Sequence, residues 1–178
     1  LHSNPARPLG LAYSGGADSR YLLERLLPFQ GALFLRLHLL HADHSLRPSS
    51  GMEAEEAERV AKAYGLPFHR ETLNPKALTG NIEAACRARR YGFFEEVAKE
   101  EGLQAVCSAH HADDQAETAL KNVLETGRLD RLRGMKPLSK WGSLNVWRPL
   151  LKVRKNLIVL YLRENRLSWF EDETNESP

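Results

Sequence analysis

The sequence has few features of a secreted, membrane-spanning or repetitive protein. No apolar run approaches the length of about 18 residues that a membrane span needs, and the polar, proline-bearing first residues differ from a signal peptide. The two cysteines, Cys86 and Cys107, form no C-x-x-C pair, which argues against a disulfide framework and favours a reducing compartment. Internal repeats and low-complexity segments are absent as well. These absences predict a globular, cytoplasmic protein with no membrane partner.

The size and composition of the chain fit one globular domain. Its 178 residues are enough to bury a sizeable core, and 42% are hydrophobic and 27% charged. The first residue is Leu rather than Met, and the last residues are acidic. We therefore expect a piece of a longer protein that folds as a single domain over residues 1–178.

Positive charge is concentrated in the last third of the sequence. Residues 126–166 contain eleven Lys or Arg against two acids, a balance of +9, although the whole chain carries only +2. The remainder therefore carries −7. This basic stretch predicts a polyanionic partner, which it would attract through counterion release and electrostatic steering. A solvated face with scattered basic residues is the alternative.

Strand-like apolar runs alternate with amphipathic helical patterns along the chain. This alternation predicts βαβ units and an α/β fold, a parallel sheet with helices on both faces, and ligands beyond the carboxyl ends of the strands. Residues 127–143 have the glycines and proline of a long basic loop. The predicted strands lie near 9–13, 33–40, 67–72, 104–109 and 144–147, and the predicted helices near 17–28, 50–65, 80–101, 111–126 and 153–165.

Residues 14–19, Ser-Gly-Gly-Ala-Asp-Ser, lie between the first predicted strand and the first predicted helix. The glycines allow the main chain to approach a ligand closely, and amides at a helix start favour an anion such as phosphate. No lysine follows in the register of a Walker P-loop. Bare phosphate would repel Asp18, which indicates a bridging Mg²⁺. A tight turn capped by Ser or Asp is the alternative.

Residues 108–118, Ser-Ala-His-His-Ala-Asp-Asp-Gln-Ala-Glu-Thr, join a predicted strand to a predicted helix. Asp114 and Glu117 are three residues apart and share a helix face, which suits a cationic substrate or Mg²⁺. The alternative is that these acids only complement the helix dipole. His110 and His111 follow the strand directly, but no third soft ligand has the spacing of a zinc site.

Two further segments carry candidate binding residues. His-Ala-Asp-His-Ser-Leu-Arg at 41–47 closes the second strand, where His41 or His44 could line a nucleotide pocket; a packed or exposed histidine is the alternative. In the predicted helix 80–101, Arg87, Arg90 and Tyr91 share one face. Their guanidinium groups could hold a carboxylate or phosphate in bidentate fashion, although helix-surface arginines are usually solvated.

Together these segments resemble the tRNA(Ile)-lysidine synthetases, within the wider N-type ATP pyrophosphatase or PP-loop family. The resemblance covers nearly the whole chain and implies a Rossmann-like, adenine nucleotide alpha hydrolase-like sheet. It also implies that a C-terminal tRNA-binding domain usual in the family is absent from this chain. A-H-H-x-D-D-Q-A-E-T at 109–118 is the most specific match, and the others are S-G-G-x-D-S at 14–19, H-x-D-H-x-L-R at 41–47, E-x-x-x-R-x-x-R-Y at 83–91, R-P-L-L at 148–151 and W-F-E-D-E-T-N at 169–175.

The resemblance implies an ATP-dependent ligase that forms a carbon–nitrogen bond on tRNA(Ile) with a CAU anticodon. ATP would adenylate the C2 oxygen of the wobble cytidine with release of pyrophosphate, and the ε-amine of free L-lysine would then displace AMP to give lysidine. The implied cofactors are ATP and Mg²⁺, and the implied partners are tRNA(Ile) and lysine. A homodimer is compatible with the resemblance.

The same resemblance assigns roles to individual residues. Asp114 and Glu117 would hold the amino groups of lysine, Arg87 its carboxylate, and Asp18 the metal. The expected catalytic residues are Asp18, Asp114, Glu117 and Arg87; the expected cofactor-binding residues are Ser14, Gly15, Gly16, Ala17, Asp18, Ser19, His41 and His110; the expected substrate-binding residues are Arg87, Arg90, Asp114, Glu117, Arg128 and Arg148.

One stretch departs from the family, and three other functions stay open. Glu125-Thr-Gly-Arg128 stands where the family typically has R-G-[ST]-G, and Arg131 replaces a usual glycine, so we expect a different loop and different RNA contacts there. A tRNA-thiolating enzyme would work through cysteines, and Cys86 and Cys107 fit no such pairing. An amide-forming synthetase for a small acid and a nucleotide-binding module without chemistry are the remaining alternatives.

Overall fold

A computed structural model of the chain describes residues 8–32, 35–43, 50–72, 81–127 and 134–170. In these segments six strands and six helices follow one another. Within them, no helix combines the length and the apolar character that a membrane crossing requires. The strands are β1 (Leu9–Ala12), β2 (Leu37–Asp43), β3 (Phe68–Thr72), β4 (Ala105–Cys107), β5 (Leu138–Trp141) and β6 (Leu144–Trp147), and the helices are α1 (Ala17–Leu26), α2 (Pro28–Ala32), α3 (Ser50–Ala63), α4 (Ile82–Glu100), α5 (Ala112–Thr126) and α6 (Lys155–Glu164).

The six strands form one sheet in the order β3-β2-β1-β4-β6-β5. Every neighbouring pair is parallel except β5 and β6, which are antiparallel. The predicted α/β class with a parallel sheet is therefore confirmed, with one antiparallel edge strand added. Because β1 lies between β2 and β4, the carboxyl ends of these three strands open at the same edge of the sheet.

Two apolar clusters bury both faces of the sheet. On one face, Leu22 and Leu23 of α1 and Ile158 and Leu162 of α6 pack with Leu11 of β1. On the other face, aromatic residues of α4 pack with residues of β2, β4 and β6. This double coverage explains why the residues of β1 and β2 are nearly all buried rather than alternately buried and exposed.

The structure corrects two of the predicted elements. The strand predicted near 33–40 begins at Leu37 and extends to Asp43, and it is preceded by the short helix α2, whose first residue Pro28 suits that position. The predicted loop at 127–143 is wrong in its second half, because Leu138–Trp141 forms β5. A two-residue turn joins β5 to β6, and Gly142 supplies the positive φ of 56° there. Residues 128–133 lie outside the described part of the chain.

Gly10 is required by the close packing at the centre of the sheet. A Cβ atom at this position would lie 2.9 Å from Val106 Cγ2 and 3.0 Å from Leu103 Cδ1. Both distances are shorter than normal carbon–carbon contacts, so a larger residue forces its neighbours to move. Gly51, near the start of α3, has no atom within 4 Å of its Cβ direction.

We predict that Gly10→Ala and Gly51→Ala change stability in opposite directions. Gly10→Ala overpacks the core and should lower the free energy of unfolding by about 1–3 kcal/mol. Gly51→Ala should raise it by roughly 0.4–1 kcal/mol, since alanine restricts the unfolded chain without meeting a neighbour. Urea unfolding followed by circular dichroism measures both, and equal effects of the two substitutions would contradict the packing argument.

Candidate functional site

A cavity of about 430 Å³ opens at the carboxyl ends of the central strands. It is bounded by the loop after β1, by the end of β2, by the segment after β4, and by the aromatic side of α4. The structure thus brings together several segments that the sequence singled out separately. Of the expected site residues, the following line the cavity: Ser14, Asp18, Ser19, His41, Arg90, His110 and Asp114.

The loop after β1 leaves main-chain amides available for a ligand. Gly16 is the N-cap of α1, and no side chain caps this helix, so the first amides of α1 lack a side-chain acceptor. Gly15 has a φ of 87°, and its Cα faces the ring of Phe170, where a Cβ would lie 3.1 Å from Cδ2. Such a helix start attracts anions through its dipole and its free N–H groups.

Two serine hydroxyls hold the shape of this loop. Ser14 Oγ accepts a hydrogen bond from Gly16 N at 3.3 Å, and Ser19 Oγ donates to Gly16 O at 3.0 Å. The two hydroxyl oxygens are 3.2 Å apart. Ala17 is buried at the first position of α1. The hydroxyls therefore stabilise the loop around the free amides, in addition to any contact with a ligand.

Asp18 forms an ion pair that the sequence analysis did not predict. Lys155 Nζ, on the first residue of α6, donates to both carboxylate oxygens of Asp18, at 2.7 and 2.8 Å. His111 Nε2 lies 3.7 Å from the same carboxylate. Lys155 had stood out only as one of many basic residues in the stretch 126–166, since nothing in its spacing connects it with residue 18.

The ion pair with Lys155 affects how Asp18, the expected metal ligand, could bind a cation. Both oxygens of Asp18 already accept from an ammonium group, so a cation bound there competes with Lys155 for the same negative charge. Mg²⁺ commonly takes one or two carboxylates and completes its shell with water and phosphate oxygens. Asp18 has the oxygen donors that such an ion takes, and the charge of a bound polyphosphate would attract the Lys155 ammonium.

Asp114 both caps α5 and lines the cavity. His111 is the N-cap: its Nδ1 accepts from Asp113 N at 3.3 Å, and Asp114 Oδ2 accepts from His111 N at 2.7 Å. This reciprocal pair is a capping box. Asp113 Oδ2 accepts from Lys155 N at 2.8 Å, which joins the starts of α5 and α6. Asp114 thus has a structural role at the start of α5, and Asp113 has one at the start of α6.

The two histidines of the cavity are held as neutral rings. His41 Nδ1 lies 2.8 Å from Tyr13 O, a contact that requires an N–H donor on Nδ1, and burial lowers the pKa of His41. His110 Nδ1 lies 2.6 Å from Ser108 Oγ. Burial lowers the pKa of His110 to about 4. Because Nδ1 of each ring is engaged within the protein, Nε2 is the nitrogen left for a ligand, and in neutral His41 it is an acceptor.

The arginines named from the sequence lie in different environments. Arg90 is partly buried, and burial lowers the pKa of its guanidinium. Arg87 is exposed and does not line the cavity, although Arg87 and Arg90 both lie over the ring of Tyr91, at 5.6 and 5.7 Å from its centroid. Arg148 is buried and donates to Lys136 O and to Ser139 Oγ.

The other expected site residues lie outside the cavity lining or outside the described segments. Gly15, Gly16 and Ala17 belong to the loop and helix start described above and are not themselves among the residues that line the cavity. Glu117 is exposed on α5 and, like Arg87, does not line the cavity. Arg148 joins the end of β6 to β5 through its hydrogen bond to Ser139, and it does not line the cavity. Arg128 and His44 lie outside the described residues.

Comparison with known proteins adds sequence relatives. The PP-loop domain profile matches residues 1–178. The chain is 39% identical over 169 residues to the tRNA(Ile)-lysidine synthase of Protochlamydia amoebophila, covering 95% of this chain and 37% of that protein. It is 39% identical over 166 residues to that of Chlamydia caviae, covering 93% and 51%, and 37% identical over 183 residues to that of Thermus thermophilus, covering 100% and 34%. The chain thus spans about a third to a half of the length of these relatives.

Solved structures share the fold at low sequence identity. The U34-tRNA thiolase NcsA from Methanococcus maripaludis, with its [4Fe-4S] cluster, superposes with a TM-score of 0.74 at 19% identity, covering 96% of this chain and 60% of that one. The phosphoadenylyl-sulfate reductase from Candida auris superposes with a TM-score of 0.54 at 14% identity, covering 90% and 74%. These likenesses show a shared fold.

We predict that His110 makes the protein less stable as the pH falls from about 6.5 to about 4. In this window a histidine in the unfolded chain takes up a proton, whereas native His110, with its pKa lowered to about 4, does not. The loss should reach up to about 3 kcal/mol, because each unit of pKa difference corresponds to about 1.36 kcal/mol. Urea unfolding at several pH values should give a shallower decline for His110→Gln than for the wild type. Parallel declines would contradict a neutral native His110.

Proposed function

Because this chain belongs to the PP-loop domain family, we propose that it is the catalytic portion of an ATP-dependent ligase that attaches free L-lysine to the wobble cytidine of tRNA(Ile). One observation supports this most strongly. The free amides at the start of α1, the neutral histidines of β2 and the β4–α5 segment, and the carboxylate of Asp114 meet around a single cavity. The names of the sequence relatives suggest the reaction.

In the first half-reaction, the start of α1 would bind the phosphates of ATP. The C2 oxygen of cytidine attacks the α-phosphorus, the bond from that phosphorus to the bridging oxygen breaks, and pyrophosphate leaves. Lys155 is poised to exchange Asp18 for a phosphate oxygen and so to balance the charge on the leaving group. Asp18, once released, would hold the Mg²⁺ that accompanies the nucleotide.

In the second half-reaction, the ε-amine of lysine attacks C2, the C2–oxygen bond breaks, and AMP leaves. Asp114 is the best placed of the residues expected to bind lysine, because its carboxylate lines the cavity while Glu117 and Arg87 do not. Arg90, which does line it, is a closer candidate for the carboxylate of lysine. A group with a pKa near 4 is a weak base at neutral pH, so His110 suits hydrogen bonding to the cytosine better than removal of the amine proton.

The basic stretch 126–166 offers a surface for tRNA. Arg148 and Lys155 of this stretch are engaged by other residues of the protein. Among the described residues of the stretch, the exposed cations, which could meet phosphates, are Lys136, Lys140, Lys152, Arg154, Arg163 and Arg166. Such contacts supply affinity without reading sequence, while a single unpaired base can be splayed into a pocket.

The tRNA-thiolating alternative gains little support from this chain. Cys86 and Cys107 of this chain are buried and do not line the cavity. Burial also raises the pKa of the Cys107 thiol, which keeps it in the unreactive protonated form. A nucleotide-binding module without chemistry is the other alternative, and pyrophosphate release that depends on tRNA separates it from an enzyme.

We predict that Asp114→Asn impairs the use of lysine and spares adenylation. The amide oxygen of Asn can still accept from His111 N, so the cap of α5 is retained, while the charge that would bind the lysine ammonium is lost. The kcat/KM for lysine incorporation should fall by roughly 10- to 100-fold, as expected for one charge-assisted hydrogen bond. Pyrophosphate release with ATP and tRNA alone should stay near the wild-type rate.

Glu100→Gln is the control for Asp114→Asn, since Glu100 is an exposed carboxylate at the end of α4 that does not line the cavity and lies outside the basic stretch. Both rates should be unchanged in this variant. Equal loss of adenylation and lysine incorporation in Asp114→Asn would contradict the assigned role, and absence of tRNA-dependent pyrophosphate release in the wild type would favour the binding module.

We predict that tRNA binding weakens steeply with salt. For about four phosphate contacts, raising the salt from about 50 to about 200 mM should lower the affinity by roughly 100-fold. Filter binding of tRNA with the double variant Lys140→Gln and Lys152→Gln should show a smaller salt slope. Lys62→Gln, an exposed change outside the basic stretch, should leave the slope unaltered. A flat response in the wild type would exclude this surface as the docking site.

A further inference from the structure

We propose that His38, His69 and Glu101 form a binding site for a divalent transition metal such as Zn²⁺, separate from the cavity. One ligand atom from each residue can be chosen so that all three atoms lie within 4.8 Å of one another. His38 is the second residue of β2, His69 the second residue of β3, and Glu101 the C-cap of α4. The cluster therefore lies toward the amino ends of the strands, whereas the cavity lies at their carboxyl ends.

The sheet register places the two histidines side by side. His69 pairs with Leu40, and His38 is two residues before Leu40, so the three side chains project from the same face of the sheet. Leu40 packs against the aromatic residues of α4, which identifies this face as the α4 side. The backbone thus fixes both imidazoles next to the helix that supplies the third ligand.

The end of α4 brings Glu101 to the same place. Glu101 N donates to Val97 O as the last helical hydrogen bond, and Gly102 then reverses the chain with a φ of 65°. Leu103 N donates back to Ala98 O, which closes the helix end. A glycine in this left-handed position is therefore what directs the chain from α4 toward β4 and leaves Glu101 beside the histidines.

The distance between the two ring nitrogens fits a shared ion. His38 Nδ1 and His69 Nε2 are 3.1 Å apart, and their rings are stacked with an interplanar angle of 9°. Two nitrogens bound to one tetrahedral Zn²⁺ at about 2.0–2.1 Å lie roughly 3.4 Å from each other. The observed separation is within a few tenths of an ångström of this value, and both rings would turn so that their lone pairs point to one ion in place of the proton they would otherwise share.

The chemistry of the donor set selects the class of metal. Two imidazoles and one carboxylate suit Zn²⁺, Co²⁺ or Ni²⁺, while Mg²⁺ prefers an all-oxygen shell. His38 is buried, and burial lowers its pKa, which keeps the ring in the neutral form that a metal requires. Glu101 is exposed, so the ion has a path from solvent and water can complete its coordination.

An ion in this site would join β2, β3 and the end of α4. Because these elements are far apart in the sequence, a metal that binds only the native arrangement stabilises the fold. We therefore assign the site a structural role, independent of the proposed ligase reaction.

The test is metal titration of the chelator-treated chain, without an affinity tag, using Co²⁺ as a spectroscopic probe and Zn²⁺ as competitor. We expect roughly one Co²⁺ per chain, visible absorption bands of a four-coordinate ion with nitrogen and oxygen ligands, and displacement by Zn²⁺ but not by excess Mg²⁺. At a free Zn²⁺ concentration about 100-fold above Kd, the Tm should rise by roughly 5–10 °C.

Variants locate the ion. His69→Gln and Glu101→Gln should each weaken binding at least tenfold and lose the rise in Tm, whereas Glu100→Gln, an exposed neighbour on the same helix, should retain both. Glu101→Gln changes an exposed side chain and keeps the proposal testable if His69→Gln does not fold. Absence of stoichiometric binding, or binding that all three variants retain, would overturn the proposal.

Discussion

The hydrogen bonding of β1 to a parallel strand on each side constrains the rest of this structure. Leu9 pairs with Leu37 of β2 and with Ala105 of β4, so the three strands run in register and their carboxyl ends open at the same edge of the sheet, where β2 continues past the end of β1 to Asp43. Each of their carboxyl ends then continues into a segment rich in polar side chains. The cavity is a direct consequence, because parallel strands whose carboxyl ends open at one edge leave a crevice which the following loops border.

A second constraint is the set of polar contacts that joins the first helix to two helices near the end of the described chain. The Lys155 side chain bonds Asp18 of the first helix, and its main-chain N–H bonds Asp113 of α5. His111 lies between these groups, with its main-chain N–H held by Asp114. The starts of α1, α5 and α6 are therefore linked by one set of polar contacts.

The two groups of histidines serve different purposes in this interpretation. Those of the cavity are neutral and hydrogen-bonded to main-chain or hydroxyl oxygen, which suits recognition of a nucleotide. Those near the amino ends of β2 and β3 face each other beside a carboxylate, which suits a metal. The role of a histidine in this protein thus depends on whether it lies at the carboxyl end or the amino end of its strand.

Local sequence patterns determined the fold class, the glycine loop and the position of the second polar segment, because hydrophobic periodicity and turn chemistry act over a few residues. The edge strand β5 was missed because the glycines and proline of 127–143 outweighed its short alternation. Only the tertiary structure decided that Asp18 contacts Lys155, 137 residues further along the chain. It also decided that Glu117 and Arg87 lie outside the cavity. The same holds for the cluster of His38, His69 and Glu101. These depend on strand order, register and helix docking, which no local spacing encodes.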